Sequence, residues 1–182
     1  MVRKVLLRLS AFGLVSGAIL YAGQAERLLK PTTPASVGGR VTVLETINRK
    51  PVTNPVRDLD VFLFTMEASK PFQDLQHKCR RAMAQPNADP VQTYKLCDKC
   101  LAEAFELVAR LPATATARTG RDGSFRFENV EPGRSYHVVG IKPAEGGSPI
   151  VVVGTTARLR PHELVLLDLS ENDPWTGPLE LK

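Results

Sequence analysis

The chain has 182 residues, 43% of them hydrophobic and 24% charged, which suits one globular domain with its own core and not two. Its formal charge of +5 does not point to nucleic acid. Arg3, Lys4 and Arg8 belong to an N-terminal stretch without acids, and the remainder sets 21 basic against 19 acidic residues with no Lys/Arg block.

The chain opens with MVRK, and Leu9 to Gly23 is apolar or small throughout. Gly23-Gln24-Ala25 places small residues at −3 and −1 of a cleavage point after Ala25, so residues 1–25 read as a secretory signal peptide. The competing reading is an uncleaved anchor. Arg8 interrupts that run and leaves it short of the roughly 20 residues that span a bilayer. Either way the rest is exported (periplasmic, secreted or envelope-associated), and membrane contact is confined to this segment. Residues 26–37, ERLLKPTTPASV, read as a linker.

From Gly38 the pattern becomes short β segments. GGRVTVLE sets Val41 and Val43 on one face, INRKPVTNPVRD reads as a turn-rich connection with two prolines, and LDVFLFTM is apolar on both faces, as a doubly covered strand is. At about residues 71–111 the period changes to that of a helix. Phe72, Leu75, Cys79, Ala82 and Met83 form one stripe, and Val91, Tyr94, Cys97, Leu101, Ala104, Phe105 and Val108 form another. QPNADP separates them, with Asp89 as the expected cap and Pro90 at the first helical position. The β pattern resumes with TATART, GSFRFENV, RSYHVVGIK, SPIVVVGTT and HELVLLDLS. The expected fold is mainly β: a seven-stranded antiparallel Greek-key sandwich over residues 38–170 with an inserted α-helical hairpin. Residues 171–182, with the lone Trp, form a C-terminal tail.

The stretch GRDGSFRFENVEPG has a structural reason for each residue. Asp122-Gly123 reads as a tight hairpin turn between consecutive strands, and Phe125 and Phe127 share one face opposite Ser124, Arg126 and Glu128. Glu131-Pro132-Gly133 is a second turn, and Tyr136 continues the core on the next strand. This region resembles the carboxypeptidase regulatory-like family, the transthyretin-like (prealbumin-like) β-sandwiches. The resemblance rests on Gly39-Arg40-Val41, on Pro55-Val56 followed by Leu59 and Val61, and on the run from Thr119 to Tyr136. One extra residue separates Gly133 from Tyr136, and the helical segment splits the match into two blocks. The resemblance implies a module that is mostly non-catalytic, and a fold alone assigns no function.

All three cysteines lie in the helical segment, and export makes a disulfide the expectation. With the turn centred near residue 88, Cys79 and Cys97 stand equally far from it and both lie on the apolar stripes, so Cys79–Cys97 is the preferred pair. Cys79–Cys100 comes second, about one turn further on. A CxxC redox site lacks a helix N-terminus to activate Cys97, and a zinc site from His77, Cys79, Cys97 and Cys100 suffers because His77 and Cys79 lie about 200° apart on a helix. Haem attachment needs CxxCH, and Leu101 follows Cys100. His137 reads as a lone strand residue, solvated or satisfied, on the face opposite Tyr136. Asp58, Asp60 and Asp122 form no recognised calcium loop. No G-x-S-x-G is present. A Lys–Asn isopeptide bond of the kind found in some surface sandwiches lacks its lysine, because the first strand offers Arg40. No catalytic, cofactor or metal residue is assigned, and none of these patterns calls for a cofactor. The expectation is a non-catalytic binding or structural module, with the hairpin or a sheet edge docking a protein or cell-envelope component. A Cys/His-hairpin metal-binding or redox protein and a membrane-tethered assembly subunit are the alternatives, and no oligomeric state is read.

Overall fold

The computed structural model describes residues 33–47, 49–84, 89–143 and 149–170. The signal, the first part of the linker and the tail lie outside them, as does most of the QPNADP connection. Alternating Val and Phe positions build two four-stranded sheets. One sheet contains β1 (Ala35–Ile47), β2 (Lys50–Pro55), β5 (Ser124–Val130) and β8 (Leu164–Ser170). The other runs β4 (Ala115–Arg118), β3 (Asp60–Thr65), β6 (Tyr136–Lys142), β7 (Ile150–Thr155). Val37, Val41, Phe125, Phe127 and Leu169 from the first sheet meet Val61, Leu63, Tyr136, Val138 and Val152 from the second in one core. The molecule is mainly β, two layers deep at this core, with two helices, α1 (Lys70–Met83) and α2 (Pro90–Arg110).

Four expectations are corrected. The described residues hold eight strands, not seven, because KPVTNP forms β2 against the second half of β1. Its prolines concealed it. Pro51 and Pro55 donate no hydrogen bond, and an edge strand tolerates that where a central one does not. The sheets are also not wholly antiparallel, since β8 pairs with β1 in parallel from Ser36↔Leu164 to Thr42↔Ser170. The first strand begins at Ala35, inside the stretch read as linker, and Ala35 and Val37 are core residues.

The fourth correction concerns Asp122-Gly123. Its flanking strands do not pair: β4 belongs to one sheet and β5 to the other, so the turn carries the chain between layers. Strand periodicity looks identical whether the next strand pairs with the last or crosses over. Gly123 N–H closes the turn onto Gly120 O at 3.0 Å, and only Gly123, at φ +75°, needs the left-handed region. Asp122 Oδ1 accepts from the Ser124 hydroxyl at 2.6 Å and from Ser124 N–H at 3.1 Å, which holds its carboxyl below the usual range.

Phe125 and Phe127 enter the core as expected, at 5.8 Å between ring centroids. Beyond them β5 carries one extra residue opposite β1. Ala35 faces Val130 while Val37 faces Phe127, and Asn129 takes φ 57° in the bulge. The bulge turns Val130 inward where strict alternation would have placed Asn129. Pro132-Gly133 then carries the chain to the second sheet, with Gly133 at φ +89°, and the buried Tyr136 hydroxyl donates back to Glu131 O at 2.8 Å.

Candidate functional site

The helical segment forms a third layer on the outer face of the second sheet. Along β3 and β6, Leu63, Tyr136 and Val138 point to the inter-sheet core, while Phe64, Val139 and Ile141 point the other way. The second set packs with Val151, with Phe72, Leu75 and Cys79 of α1, and with Cys100, Ala104 and Val108 of α2 in a separate cluster. The two-sided apolar pattern of LDVFLFTM therefore has its cause: β3 is covered on both faces. The insertion closes a core of its own, and its buried stripe is fully used.

Asp89 caps α2 as expected. It accepts from Val91 N–H at 3.1 Å, with Pro90 opening the helix where a missing N–H costs nothing. On α2 the inward line is Cys100, Ala104 and Val108, four residues apart, and Cys97 lies about 60° around the helix from Cys100. The disulfide accordingly joins Cys79 to Cys100, with Cα atoms 6.2 Å apart, and the preferred Cys79–Cys97 pair is corrected. Two cross-hairpin pairs, this one and Lys78–Glu103 at 3.5 Å, set the register centre near residue 90 and not 88. The three-residue difference nearly completes a turn and exchanges one cysteine for the other.

The same offset leaves α2 longer than its partner. Residues of α1 up to Met83 are matched by α2 from about Cys97 onward, so the first two turns of α2 run past the end of α1. On that overhang Tyr94 and Val91 lie about 80° and 140° around the helix from the inward line and face solvent, 74% and 57% exposed. Cys97, half-buried, sits where coverage ends and keeps its sulfur outside the disulfide.

The metal and redox readings lose their donors. Cys79 and Cys100 are spent on each other, and His77 is exposed on the far side of α1 from buried Cys79. Asp60 pairs with Arg118 at 3.1 Å and Asp122 faces Arg40 at 3.9 Å. Among the described residues no group of three or more His, Cys, Asp or Glu is placed to hold a metal, and no helix is long and apolar enough to cross a membrane.

His137 departs from the solvated reading. It points from β6 into the helix–sheet cluster, is 97% buried, and lies 5.8 Å from the Phe72 ring. Its Nδ1 has no hydrogen-bond partner among the described residues. Burial pushes its pKa down from 6.5 to about 4. As pH falls below 6.5 the unfolded chain takes up this proton first, and the folded chain follows only near 4. Stability is therefore expected to fall across that window by up to about 3 kcal/mol, with nothing further lost to this group below it. Urea unfolding from neutral pH to pH 4.5 reads the slope. His137→Leu should flatten it, and an unchanged slope in that variant would remove His137 as the cause.

Comparisons with known proteins add little. No family model matches the chain, and no curated protein matches it. Among solved structures it is similar to the pilus backbone RrgB from Streptococcus pneumoniae, at 10% identity and a TM-score of 0.29, over 75% of this chain and 41% of that one. A likeness of that depth assigns neither a family nor an activity.

Proposed function

We propose that the chain is a non-catalytic, exported binding module in which the helical hairpin carries the surface for a protein or cell-envelope partner. The observation that supports this reading is the α2 overhang. Tyr94 and Val91 present an aromatic and an aliphatic side chain to solvent, on a helix whose register is pinned by a covalent bond. Exposed aromatics on a rigid helix are the side chains that anchor protein interfaces. The disulfide supports an oxidising compartment and hence export. Membership of the carboxypeptidase regulatory-like, transthyretin-like class of Greek-key β-sandwiches is part of the proposal. Its support is the roles of the motif residues: buried Thr119 accepting from Leu59 N–H at 2.9 Å, the turn at Gly123, the paired Phe125 and Phe127, and the Tyr136 hydroxyl bond. Four crossings of the chain between the two sheets support the Greek-key element.

Deleting the hairpin would strip the second sheet of its cover, so the test belongs on the surface. A photo-crosslinking residue at position 94 is expected to capture one defined protein in intact cells. The same residue at Lys70, exposed at the far end of α1, is expected to capture none. Equal yields at the two positions would sink the proposal.

A further inference from the structure

The outer face of the first sheet has no layer over it among the described residues, yet it is not a polar face. On β8, Val165, Leu167 and Leu169 point inward, while Leu164 and Leu166 point outward and are 48% and 72% exposed. The register places Gly38 of β1 directly between Leu166 and Arg126, and Arg40 between Asp168 and Ser124. Because Gly38 has no side chain, the row is a trough with leucines on one wall and Arg126 on the other. It forms a groove of about 620 Å³ that Arg118 also lines. The arginines are only loosely engaged, to Asp122 at 3.9 Å, Glu128 at 3.3 Å and Asp60 at 3.1 Å, with more than half of each side chain exposed. Such exposed pairs contribute little and exchange partners at small cost.

We propose that this groove is the seat of the chain's own C-terminal segment, residues 171–182, ENDPWTGPLELK. Three features of the groove and the segment fit each other. The segment leaves from Ser170, the last residue of the strand that forms the apolar wall. Its twelve residues reach about 40 Å when extended, twice the roughly 20 Å needed to run back from Ser170 to Leu164, and Pro174 and Gly177-Pro178 supply turns. Its chemistry complements the walls: Trp175, Leu179 and Leu181 for the leucines, and Glu171, Asp173 and Glu180 against one Lys182 for the arginines. A seated tail also explains why the outward face of β8 begins with two leucines, Leu164 and Leu166, before it turns polar at Asp168 and Ser170.

Trp175 is the chain's single tryptophan, so its fluorescence reports on the tail alone. In the full chain the emission is expected to be blue-shifted and acrylamide quenching several-fold weaker than for free tryptophan. Both are expected to stay constant over a wide dilution series. Leu166→Glu should shift the emission to that of water-exposed tryptophan, with circular dichroism unchanged and a cooperative unfolding transition retained at a modestly lower midpoint, because the residue faces outward and only the tail's docking is lost. Arg126→Glu should release the tail partly, by charge alone. Solvent-like emission in the native chain, or protected emission that neither variant alters, overturns the proposal. Protection lost on dilution overturns it too, by assigning the groove to the tail of a second copy.

Discussion

Gly123→Ala is expected to lower the unfolding free energy by about 2–4 kcal/mol, well above the cost of Gly133→Ala. Both glycines hold positive φ, +75° and +89°. An alanine at either position therefore meets the left-handed penalty of about 1–2 kcal/mol. What separates them is space. A Cβ at 133 has nothing within 4 Å, whereas one at 123 runs into the Val41 carbonyl oxygen and comes within 3.2 Å of Pro55. Gly123 sits at a seam, because β5 and β2 follow one another along the same edge of β1. At that point Val41 N–H donates to Gly123 O at 2.9 Å and Val41 O accepts from Val56 N–H at 3.0 Å. The obstructing atom belongs to the backbone of the central strand and cannot give way without breaking one of those bonds. Urea unfolding of both variants measures the difference, and equal costs would mean that the seam is looser than described.

Removing the disulfide is expected to cost about 3 kcal/mol, the loop-closure entropy of a crosslink spanning 21 residues. Cys79→Ala with Cys100→Ala should unfold earlier in urea and should open the hairpin to protease well before the sheets. Cys97→Ser leaves the crosslink in place and should cost less than the double variant. The pairing can also be read directly. Lys99 lies between Cys97 and Cys100, so trypsin separates the two, and Cys79 follows Lys78 at another cleavage point. Under non-reducing conditions the fragment that begins at Cys79 is expected to be bound to the one that begins at Cys100. Finding it bound to the fragment Leu96–Lys99 would restore the symmetric pairing and shift the helix register by a turn.

The strands that the sequence made legible were those whose side chains alternate between a core and something else. β5 was readable because Phe125 and Phe127 bracket Arg126, and β3 because the four consecutive apolar residues Val61 to Phe64 demand cover on both sides. The cap at Asp89 followed by Pro90 was readable because it depends on neighbouring residues only. What stayed hidden depends on distant ones. β2 carries prolines that local rules read as breaks, and only its place at an edge makes them acceptable. The Cys79–Cys100 bond follows from a helix offset that composition does not encode. His137 reads as an ordinary strand residue until the hairpin folds over it. The groove residues Leu164 and Leu166 were in plain view, but Asp168 and Ser170 on the same face of β8 made that face read as an ordinary solvated one.

The parallel pairing of β1 with β8 has a further consequence, for the order of assembly. Ser36 faces Leu164 across 128 residues, so the opening strand of the first sheet meets its partner only when nearly the whole chain is present. The helical hairpin and the β6–β7 pair are local and can form early, while one side of β1 waits. Contacts of such long range slow folding, and an unpaired strand edge is where chains cross-pair with one another. A chain cut short before Leu164 would retain both helices and most of its core residues, and would still present β1 as a template for aggregation.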